Sequence, residues 1–341
     1  MTFDAAERNR VGTRDVLVSR LGIGTSPFGT LVAAQGDQVV AATMEAAAAA
    51  GLRYFDTAPF YGYGLAEHRL GQGLRGTVRD EVVLSTKVGR LFKPSLTSPL
   101  PATRGGERPF AMVYDYTYDA TLRSIEDSLL RLDSGRIDIA LIHDVNRRWQ
   151  GDQLEARYRE AMAGAYSALD ALRAQGVIKA IGVGVNDWEI LLRFAADGDF
   201  DCFMLAGRYT LLDHSAIDRF LPECARRGIA VLAAAPYNSG ILATGARPGA
   251  TFFYTEATPE IMERTRRIEA VCARHGVPLP AAALQFASFH PAVASIVVGM
   301  RNATDIVENV AYFRHPIPAQ FWQELKAHRL IADAAPTSLT V

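Results

Sequence analysis

The chain has few cysteines, almost no net charge and no long hydrophobic run. Its 341 residues include three cysteines, Cys202, Cys224 and Cys272, whose odd number and spacing match neither a disulfide framework nor a metal motif. We therefore expect buried thiols in a reducing compartment and no metal site. The 36 basic and 37 acidic residues leave a formal net charge of −1, which gives no electrostatic footprint for binding nucleic acid or an anionic membrane.

Segments that would direct the chain to or across a membrane are also missing from the sequence. No stretch reaches the roughly 18 uncharged apolar residues that a membrane helix needs. The polar start MTFDAAERNR lacks the apolar core of a secretory signal. With 49% hydrophobic and 21% charged residues the composition is that of a globular protein. These features predict a cytoplasmic protein with no nucleic-acid or membrane partner, and they leave its oligomeric state open.

Short apolar runs alternate with longer amphipathic stretches along the whole chain. Each run is almost continuously apolar, which is typical of parallel strands that are buried on both faces. The predicted strands are Leu21–Gly24, Tyr54–Asp56, Val82–Lys87, Ile137–His143, Ala180–Val185, Cys202–Ala206, Ala230–Ala235 and Ser295–Gly299.

Helical patterns fill the intervals between these strands. Thr258 and Pro259 suit the N-cap and the first position of one helix, and Gly176 suits the end of another. The predicted helices are Val39–Ala50, Glu67–Leu74, Thr117–Leu132, Leu154–Gln175, Trp188–Asp197, Ser215–Arg227 and a segment after Thr258. This alternation, without a linker-like break, predicts an α/β fold of the (β/α)8 TIM-barrel type. We expect a single domain over 1–341, with the barrel core at about 20–315.

A doubly wound α/β fold is the main alternative, and it requires a Gly-rich turn after the first strand. The glycines of Leu21–Gly29 lack the G-x-G-x-x-G spacing, and Pro27 interrupts them, so the barrel is favoured. Two connecting segments are unusually long: roughly Arg90–Tyr116 after strand three, and roughly Gly245–Thr258 after strand seven. Both are predicted to be long loops at the C-terminal mouth, where barrel enzymes place their active sites.

Three of the predicted strands end in an ionisable residue, namely Asp56, Lys87 and His143. Each alone has an ordinary explanation as a cap, a solvated lysine or a structural histidine, but in a barrel the three positions converge on one mouth. A lysine ammonium that is held by a carboxylate stabilises a nearby phenolate and lowers the pKa of the phenol. Tyr61, five residues after Asp56, is the predicted source of that phenol. With a histidine that binds a substrate oxygen, this set suits proton transfer at a carbonyl or alcohol carbon.

Four motifs and a C-terminal run carry a family resemblance. They are Asp56-Thr-Ala-Pro-Phe-Tyr-Gly62, Leu84-Ser-Thr-Lys87, Leu141-Ile-His143, Ile181-Gly-Val-Gly-Val-Asn186 and the run Ile296–Asn309. In order and spacing they resemble the aldo-keto reductase superfamily, from about Leu21 to Val310. The resemblance implies a nicotinamide-dependent enzyme acting on a small molecule. It implies that Tyr61 is the general acid/base, that Asp56 and Lys87 tune it, and that His143 orients the substrate.

The same resemblance implies the cofactor contacts. The implied cofactor-binding residues are Asn186 for the nicotinamide carboxamide, Gly299, Met300, Arg301 and Asp305, and Glu308 and Asn309 for the adenine. Asp305 stands where NADP-selective relatives have an arginine that binds the 2′-phosphate, so we expect NAD to be preferred. Arg301 leaves the use of NADP open, and the alternative role of Asp305 is to stabilise the first turn of the last barrel helix.

The sequence departs from the family pattern around the nicotinamide. No serine stands beside Asn186, Ala206 replaces the usual glutamine of strand six, and Ala233–Pro236 lacks the polar or aromatic residue that many relatives have. In these features the chain resembles a branch of aldose 1-dehydrogenases. That branch is similar to the L-fucose and D-threo-aldose dehydrogenases and to pyridoxal 4-dehydrogenase.

The activity that this branch implies is NAD(P)-dependent oxidation of the anomeric hydroxyl of an aldose such as L-fucose to its lactone. Pyridoxal 4-dehydrogenase activity and general aldehyde reduction are the alternatives within the same chemistry. A cofactor-sensing subunit that binds a partner protein is a further alternative, against which the complete catalytic set argues. A phosphate-binding isomerase is disfavoured, since no Gly-rich phosphate loop is recognisable after strands seven and eight.

Overall fold

The barrel predicted from the alternation of segments is present. A computed structural model describes residues 3–30, 33–75, 79–95 and 110–338. Parallel strands pair in chain order and the eighth pairs with the first, which closes the sheet. The barrel strands are β1 Leu21–Gly24, β2 Tyr54–Asp56, β3 Val83–Val88, β4 Ile139–His143, β5 Ala180–Val185, β6 Cys202–Ala206, β7 Ala230–Ala234 and β8 Val293–Gly299. The predicted strands are confirmed, with only small shifts at their ends.

Helices follow the strands and cover the outside of the barrel. They are α1 Ala33–Ala49, α2 Leu65–Gly73, α3 Tyr118–Leu132, α4 (Leu154–Glu160, the π-helical turn Ala161–Tyr166 and Ser167–Ala174), α5 Trp188–Asp197, α6 Phe220–Arg227, α7 Pro259–His275, α8 Leu279–Ser288, α9 Ala303–Arg314 and α10 Ala319–Ala327. Shorter helical turns are Ser26–Gly29, Arg79–Glu81, Arg147–Gln150, Gly151–Gln153, Asn238–Gly240 and Ile241–Thr244. Among the described residues no helix is long and apolar enough to cross a membrane.

Two helix predictions were wrong at the N-terminal end: α1 begins at Ala33 and not at Val39, and α6 begins later than predicted. The sequence predicts a helix over Ser215–Arg227, whereas α6 begins at Phe220. Pro222 explains the difference, because proline has no N–H to donate and is tolerated only in the first turn of a helix. The side chain of Asp213 accepts hydrogen bonds from the amide and hydroxyl of Ser215 and stabilises a turn there instead.

The N-terminal end of the barrel is closed by a two-stranded hairpin. Arg8–Arg10 pairs with Leu17–Ser19, and Val11, Val16 and Val18 pack against side chains of the barrel interior. The barrel interior is therefore sealed on this side, and the open end lies at the carboxyl ends of the strands. The predicted burial of the three cysteines, all free thiols, is observed. The assignment of 1–341 to a single domain stays a prediction.

The two long segments at the mouth contain more secondary structure than the predicted loops. After β3, Arg90–Pro94 pairs with Phe110–Tyr114 in an antiparallel hairpin, and the predicted loop residues 96–109 lie outside the described residues. After β7, Thr251–Phe252 pairs with Thr255–Glu256. Strand pairing satisfies backbone groups locally, so each pair of strands holds its own side chains at fixed places around the mouth.

Candidate active site

A cavity of about 500 Å³ opens at the C-terminal end of the barrel. The ends of β2, β3 and β4 contribute Asp56, Lys87 and His143 to its walls, and Tyr61 joins them from the loop after β2. Parallel strands of a barrel all end on one side, so residues far apart in the sequence meet there. The structure thus brings together the four side chains that the sequence singled out as catalytic.

Tyr61 reaches the cavity because its loop packs tightly against the chain that follows β1. Gly62 has a φ of +62°, and a Cβ at this position would lie 2.4 Å from the carbonyl oxygen of Gly29. A Cβ on Gly29 would in turn lie 2.5 Å from the amide nitrogen of Gly62. Glycine at both positions allows this backbone contact. A larger residue at either one would displace the segment that carries Tyr61.

Lys87 and Asp56 form a buried ion pair beside this phenol. Lys87 Nζ lies 2.9 and 2.7 Å from the two carboxylate oxygens of Asp56 and donates to the carbonyl oxygen of Thr57 at 2.8 Å. Ser85 Oγ donates to Asp56 Oδ1 at 2.7 Å and so helps to hold the carboxylate in place. Lys87 Nζ is also 4.8 Å from the centre of the Tyr61 ring. The ammonium is therefore fixed in position next to the tyrosine.

The pKa of Tyr61 is raised to about 12, chiefly because burial disfavours the phenolate. The Lys87 ammonium acts in the opposite direction, and the carboxylates of Asp56 and Asp144 add to the rise. The predicted lowering of this pKa by Lys87 is therefore present, but the lysine offsets only part of the effect of burial. Burial lowers the pKa of Lys87 itself, but the neighbouring Asp56 and Tyr61 outweigh it and raise that pKa overall.

His143 is buried and neutral. Burial, followed by the charges of Arg90 and Lys87, holds the pKa of its imidazole well below the usual range. Its ring stands perpendicular to that of Tyr61, with the centroids 6.3 Å apart. A neutral imidazole has one N–H donor, so His143 is able to hydrogen-bond an oxygen held beside the phenol.

One wall of the cavity is built from very small residues, which leaves space for a flat ring. The small lining residues are Gly24, Gly184, Ala206, Ala234, Ala235 and Gly299. Asn186 lies at the edge of this wall, with its side-chain nitrogen 3.5 Å from the hydroxyl of Tyr254. An open wall next to a primary amide fits a nicotinamide ring and its carboxamide. The alanines that depart from the family pattern thus widen this seat, and Tyr254 from the hairpin after β7 supplies an aromatic ring at its edge.

Apart from Gly299, which belongs to the cavity wall, the other predicted cofactor residues lie outside the cavity lining, around the start of α9. Asp305 accepts hydrogen bonds from Nε and Nη2 of Arg301, at 2.8 and 2.9 Å, and from its backbone nitrogen at 2.8 Å. Asn302 caps the helix by accepting a bond from the Asp305 amide at 3.0 Å. Asp305 therefore stabilises the start of the helix and holds the exposed side chain of Arg301 at the same time.

Asn309 is fixed by its neighbours, whereas Glu308 is exposed on the same helix. The side-chain nitrogen of Asn309 donates to the carbonyl oxygen of Asp305 at 2.7 Å, and its Oδ1 accepts from the Tyr237 hydroxyl at 2.5 Å. Met300 is fully buried, and its amide donates to the carbonyl oxygen of Gly24 at 3.3 Å. Its neighbour Gly299, by contrast, lines the cavity.

Sequence reasoning missed several residues of the cavity wall. Phe60, Asp144, Arg148, Trp149 and Tyr254 all line the cavity. The sequence does contain a signal for Asp144 as a cavity residue, because Asp144 directly follows the histidine at the end of β4. The others come from connecting segments, where no periodic pattern indicates the direction of a side chain.

A family model described as the aldo/keto reductase family matches residues 20–330. The chain belongs to this family, and it is an enzyme of a family that uses nicotinamide dinucleotides. The solved structure of an aldo-keto reductase from Bacillus halodurans in its holo form has a TM-score of 0.72 at 21% identity over 98% of both chains, which supports the shared fold.

Two dehydrogenases are similar to the chain over most of their length. The pyridoxal 4-dehydrogenase of Microbacterium luteolum is 40% identical over 343 residues, covering 97% of this chain and 100% of that protein. The D-threo-aldose 1-dehydrogenase of a Pseudomonas species is 39% identical over 321 residues, covering 92% of this chain and 95% of that protein. The chain is thus an aldo-keto reductase with two almost equally similar dehydrogenase relatives.

Proposed function

We propose that the protein is an NAD(P)-dependent dehydrogenase that oxidises a cyclic hemiacetal to its lactone, with a free aldose such as L-fucose as the first candidate substrate. The observation that carries this proposal is the Tyr61 phenol on the cavity wall, set between the Lys87–Asp56 ion pair and His143. A hemiacetal carbon carries both a hydroxyl and a hydrogen, so it can lose a proton from oxygen and a hydride from carbon in one step.

The chain's own groups manage the proton and the oxygen in this reaction. Neutral His143 hydrogen-bonds the reacting oxygen and holds it near the phenol, and Tyr61 in its ionised form takes the hydroxyl proton. Lys87 favours that ionised form, and Asp56 holds the lysine in place. A nicotinamide held against the wall of small residues beside Asn186 would supply the hydride acceptor. In the reverse direction the neutral Tyr61 donates its proton to a carbonyl oxygen, which is the chemistry of an aldehyde reductase.

Pyridoxal is the second candidate substrate, and the aromatic side chains at the cavity suit its ring. The rings of Phe60 and Trp149 lie 6.0 Å apart and nearly perpendicular, and both line the cavity. Aromatic walls stack on a pyridine ring, and they also pack against the apolar face of a sugar. Pyridoxal forms a cyclic hemiacetal, so both candidates present the same reacting group. The names of the two similar relatives include pyridoxal and a D-threo-aldose.

A dehydrogenase assay with matched substrates tests the proposal. The panel contains L-fucose, D-arabinose, L-xylose and pyridoxal, with methylglyoxal as an acyclic aldehyde in the reducing direction. We expect kcat/KM for a hemiacetal to exceed that for the acyclic aldehyde at alkaline pH, together with formation of a lactone. Turnover of the acyclic aldehyde alone contradicts hemiacetal oxidation and assigns general aldehyde reduction; turnover of pyridoxal without any sugar replaces the first candidate by the second.

We also propose that NAD is preferred over NADP. Arg301, Asp305 and Glu308 together carry a net negative charge at the place that the resemblance assigns to the adenosine ribose. The Asp305 carboxylate pairs with the Arg301 guanidinium and neutralises its charge, so little positive potential remains to attract a 2′-phosphate. The 2′-hydroxyl of NAD is uncharged and needs no positive potential to bind.

Releasing Arg301 from its partner tests the cofactor proposal. We expect Asp305→Asn to shift the kcat/KM ratio towards NADP by about tenfold or more, since a freed guanidinium pairs well with a phosphate. Asp305→Arg should shift the ratio in the same direction, and the double variant Asp305→Asn/Arg301→Gln should lose the shift. A wild type that prefers NADP, or an unchanged ratio in all three variants, would show that these residues do not select the cofactor.

A further inference from the structure

A second buried ion pair lies beside the residues already described. Arg90 and Asp144 form a salt bridge and are 1% and 6% exposed, respectively. The Arg90 guanidinium is enclosed by aromatic rings, with its central carbon 3.9 Å from the ring centre of Phe60, 4.5 Å from that of Trp149 and 5.0 Å from that of Tyr114. Such an enclosure strips water from the arginine and fixes the direction of its hydrogen bonds.

The backbone of Asp144 is held in an uncommon conformation that turns its side chain towards the cavity. Its φ is +57°, in the left-handed region that aspartate tolerates better than most residues. The Gln150 side chain donates to the carbonyl oxygen of Asp144 at 2.9 Å, and the Asp144 amide donates to that of Gly184 at 3.0 Å. The buried Tyr116 hydroxyl donates to the carbonyl oxygen of His143 at 2.7 Å. Residues held in such conformations by their surroundings cluster at functional sites.

The Asp144 carboxylate is next to the imidazole that is proposed to hold the reacting oxygen. Asp144 Oδ2 lies 3.4 Å from His143 Nε2, and Asp144 lines the cavity whereas its partner Arg90 does not. Oxygens on neighbouring ring carbons lie about 3 Å apart, which is close to the length of a hydrogen bond. A substrate whose reacting oxygen contacts His143 therefore brings a hydroxyl on the next ring position within reach of Asp144.

We propose that Asp144, held by Arg90, is a specificity-determining residue that accepts a hydrogen bond from a second substrate hydroxyl adjacent to the reacting oxygen. This inference rests on the proposed oxidation of a cyclic hemiacetal. In an aldose the second hydroxyl is that on C2, the carbon next to the reacting carbon. In pyridoxal it is the phenolic hydroxyl, whose carbon is separated from the reacting carbon by one ring carbon. Asp144 thereby favours hydroxylated hemiacetals over analogues that lack this one group.

The chemistry of the pair fits this role better than a purely structural one. A carboxylate accepts hydrogen bonds and donates none, so it distinguishes a hydroxyl from a hydrogen atom at the same place. Burial raises the pKa of Asp144 to about 6, while Arg90 and Lys87 act to lower it, so the group is ionised at neutral and alkaline pH. A buried acceptor that meets a deoxygenated substrate loses a charge-assisted hydrogen bond.

The experiment compares L-fucose with 2-deoxy-L-fucose, and pyridoxal with its analogue lacking the phenolic hydroxyl, in the wild type and in Asp144→Asn. We expect the wild type to favour the hydroxylated member in kcat/KM by about 10- to 100-fold, the range of a hydrogen bond to a charged group. In Asp144→Asn the ratio should fall to within a few-fold of one. Because this variant leaves Arg90 unpaired, Arg90→Gln/Asp144→Asn serves as the second test, and thermal unfolding checks that each variant folds.

Asp138→Asn is the matched control. Asp138 is another buried carboxylate paired with arginines, but it directly precedes β4, at the opposite end of that strand from the cavity. The Asp138→Asn variant should be less stable than the wild type. It should not change the ratio of kcat/KM for the hydroxylated substrate to kcat/KM for its deoxy analogue. An unchanged ratio in both Asp144 variants overturns the inference. An equal loss of kcat/KM on both members of a pair, together with a shifted pH profile, also overturns it, because that result would make Asp144 a positioning residue for His143. Failure of the wild type to oxidise any hemiacetal refutes the proposed function, and this inference with it.

Discussion

Replacing Tyr61 with phenylalanine should abolish turnover and leave nicotinamide-dinucleotide binding nearly unchanged. The phenol carries the proton in either direction, and loss of a positioned acid or base lowers a rate by about 10²–10⁴-fold. The ring remains, so its contacts with the cavity wall and with His143 are kept. Stopped-flow or steady-state kinetics with the best substrate measures the rate, and fluorescence titration measures the affinity for the reduced cofactor.

Tyr63→Phe provides the control for this variant. Tyr63 is on the same loop and stacks on Phe92 at a centroid distance of 5.4 Å, but it does not belong to the cavity lining. Its variant should retain wild-type kinetics. If Tyr61→Phe keeps more than about half of the wild-type rate, Tyr61 is not the acid/base of this enzyme.

Lys87→Met should move the alkaline limb of oxidation to higher pH and lower the rate at any fixed pH below it. The reason is the direction of the lysine's effect: its ammonium lowers the pKa of Tyr61, which burial keeps at about 12 even with the lysine present. Without it the pKa rises further, and each unit reduces the ionised fraction tenfold below the pKa. The pH dependence of kcat over the alkaline range measures the shift.

The same substitution leaves Asp56 buried without a cation, so a loss of stability of about 3–5 kcal/mol is expected alongside the kinetic effect. The double variant Lys87→Met/Asp56→Asn separates the two effects, because it removes both charges. We expect it to recover most of the stability measured by denaturant unfolding but not the rate. An active Lys87→Met enzyme with an unmoved alkaline limb would mean that Lys87 does not tune the base.

The fold was predictable because the local signals in this sequence agree with one another. Apolar runs such as Ala180–Val185 are buried on both faces in the barrel, as their lack of alternation indicated. The cap predicted at Thr258 is also present, with its side chain accepting a bond from the Ile261 amide at 3.4 Å. Where signals conflicted the prediction was wrong, as at Ser215, because Pro222 limits how far α6 extends towards the N-terminus.

The sequence by itself determined the barrel and the meeting of Asp56, Tyr61, Lys87 and His143, because strand ends in a barrel share one mouth whatever the details of packing. The tertiary structure alone decided the electrostatics and the rest of the wall. Burial depth controls whether the Tyr61 pKa rises or falls, and no spacing of residues encodes depth. Arg90 lies beside Asp144 across 54 positions because β3 and β4 pair with Val88 opposite Ile142, so that the residues two positions further along each strand direction come together. The apolar runs predict the two strands but not the register in which they pair.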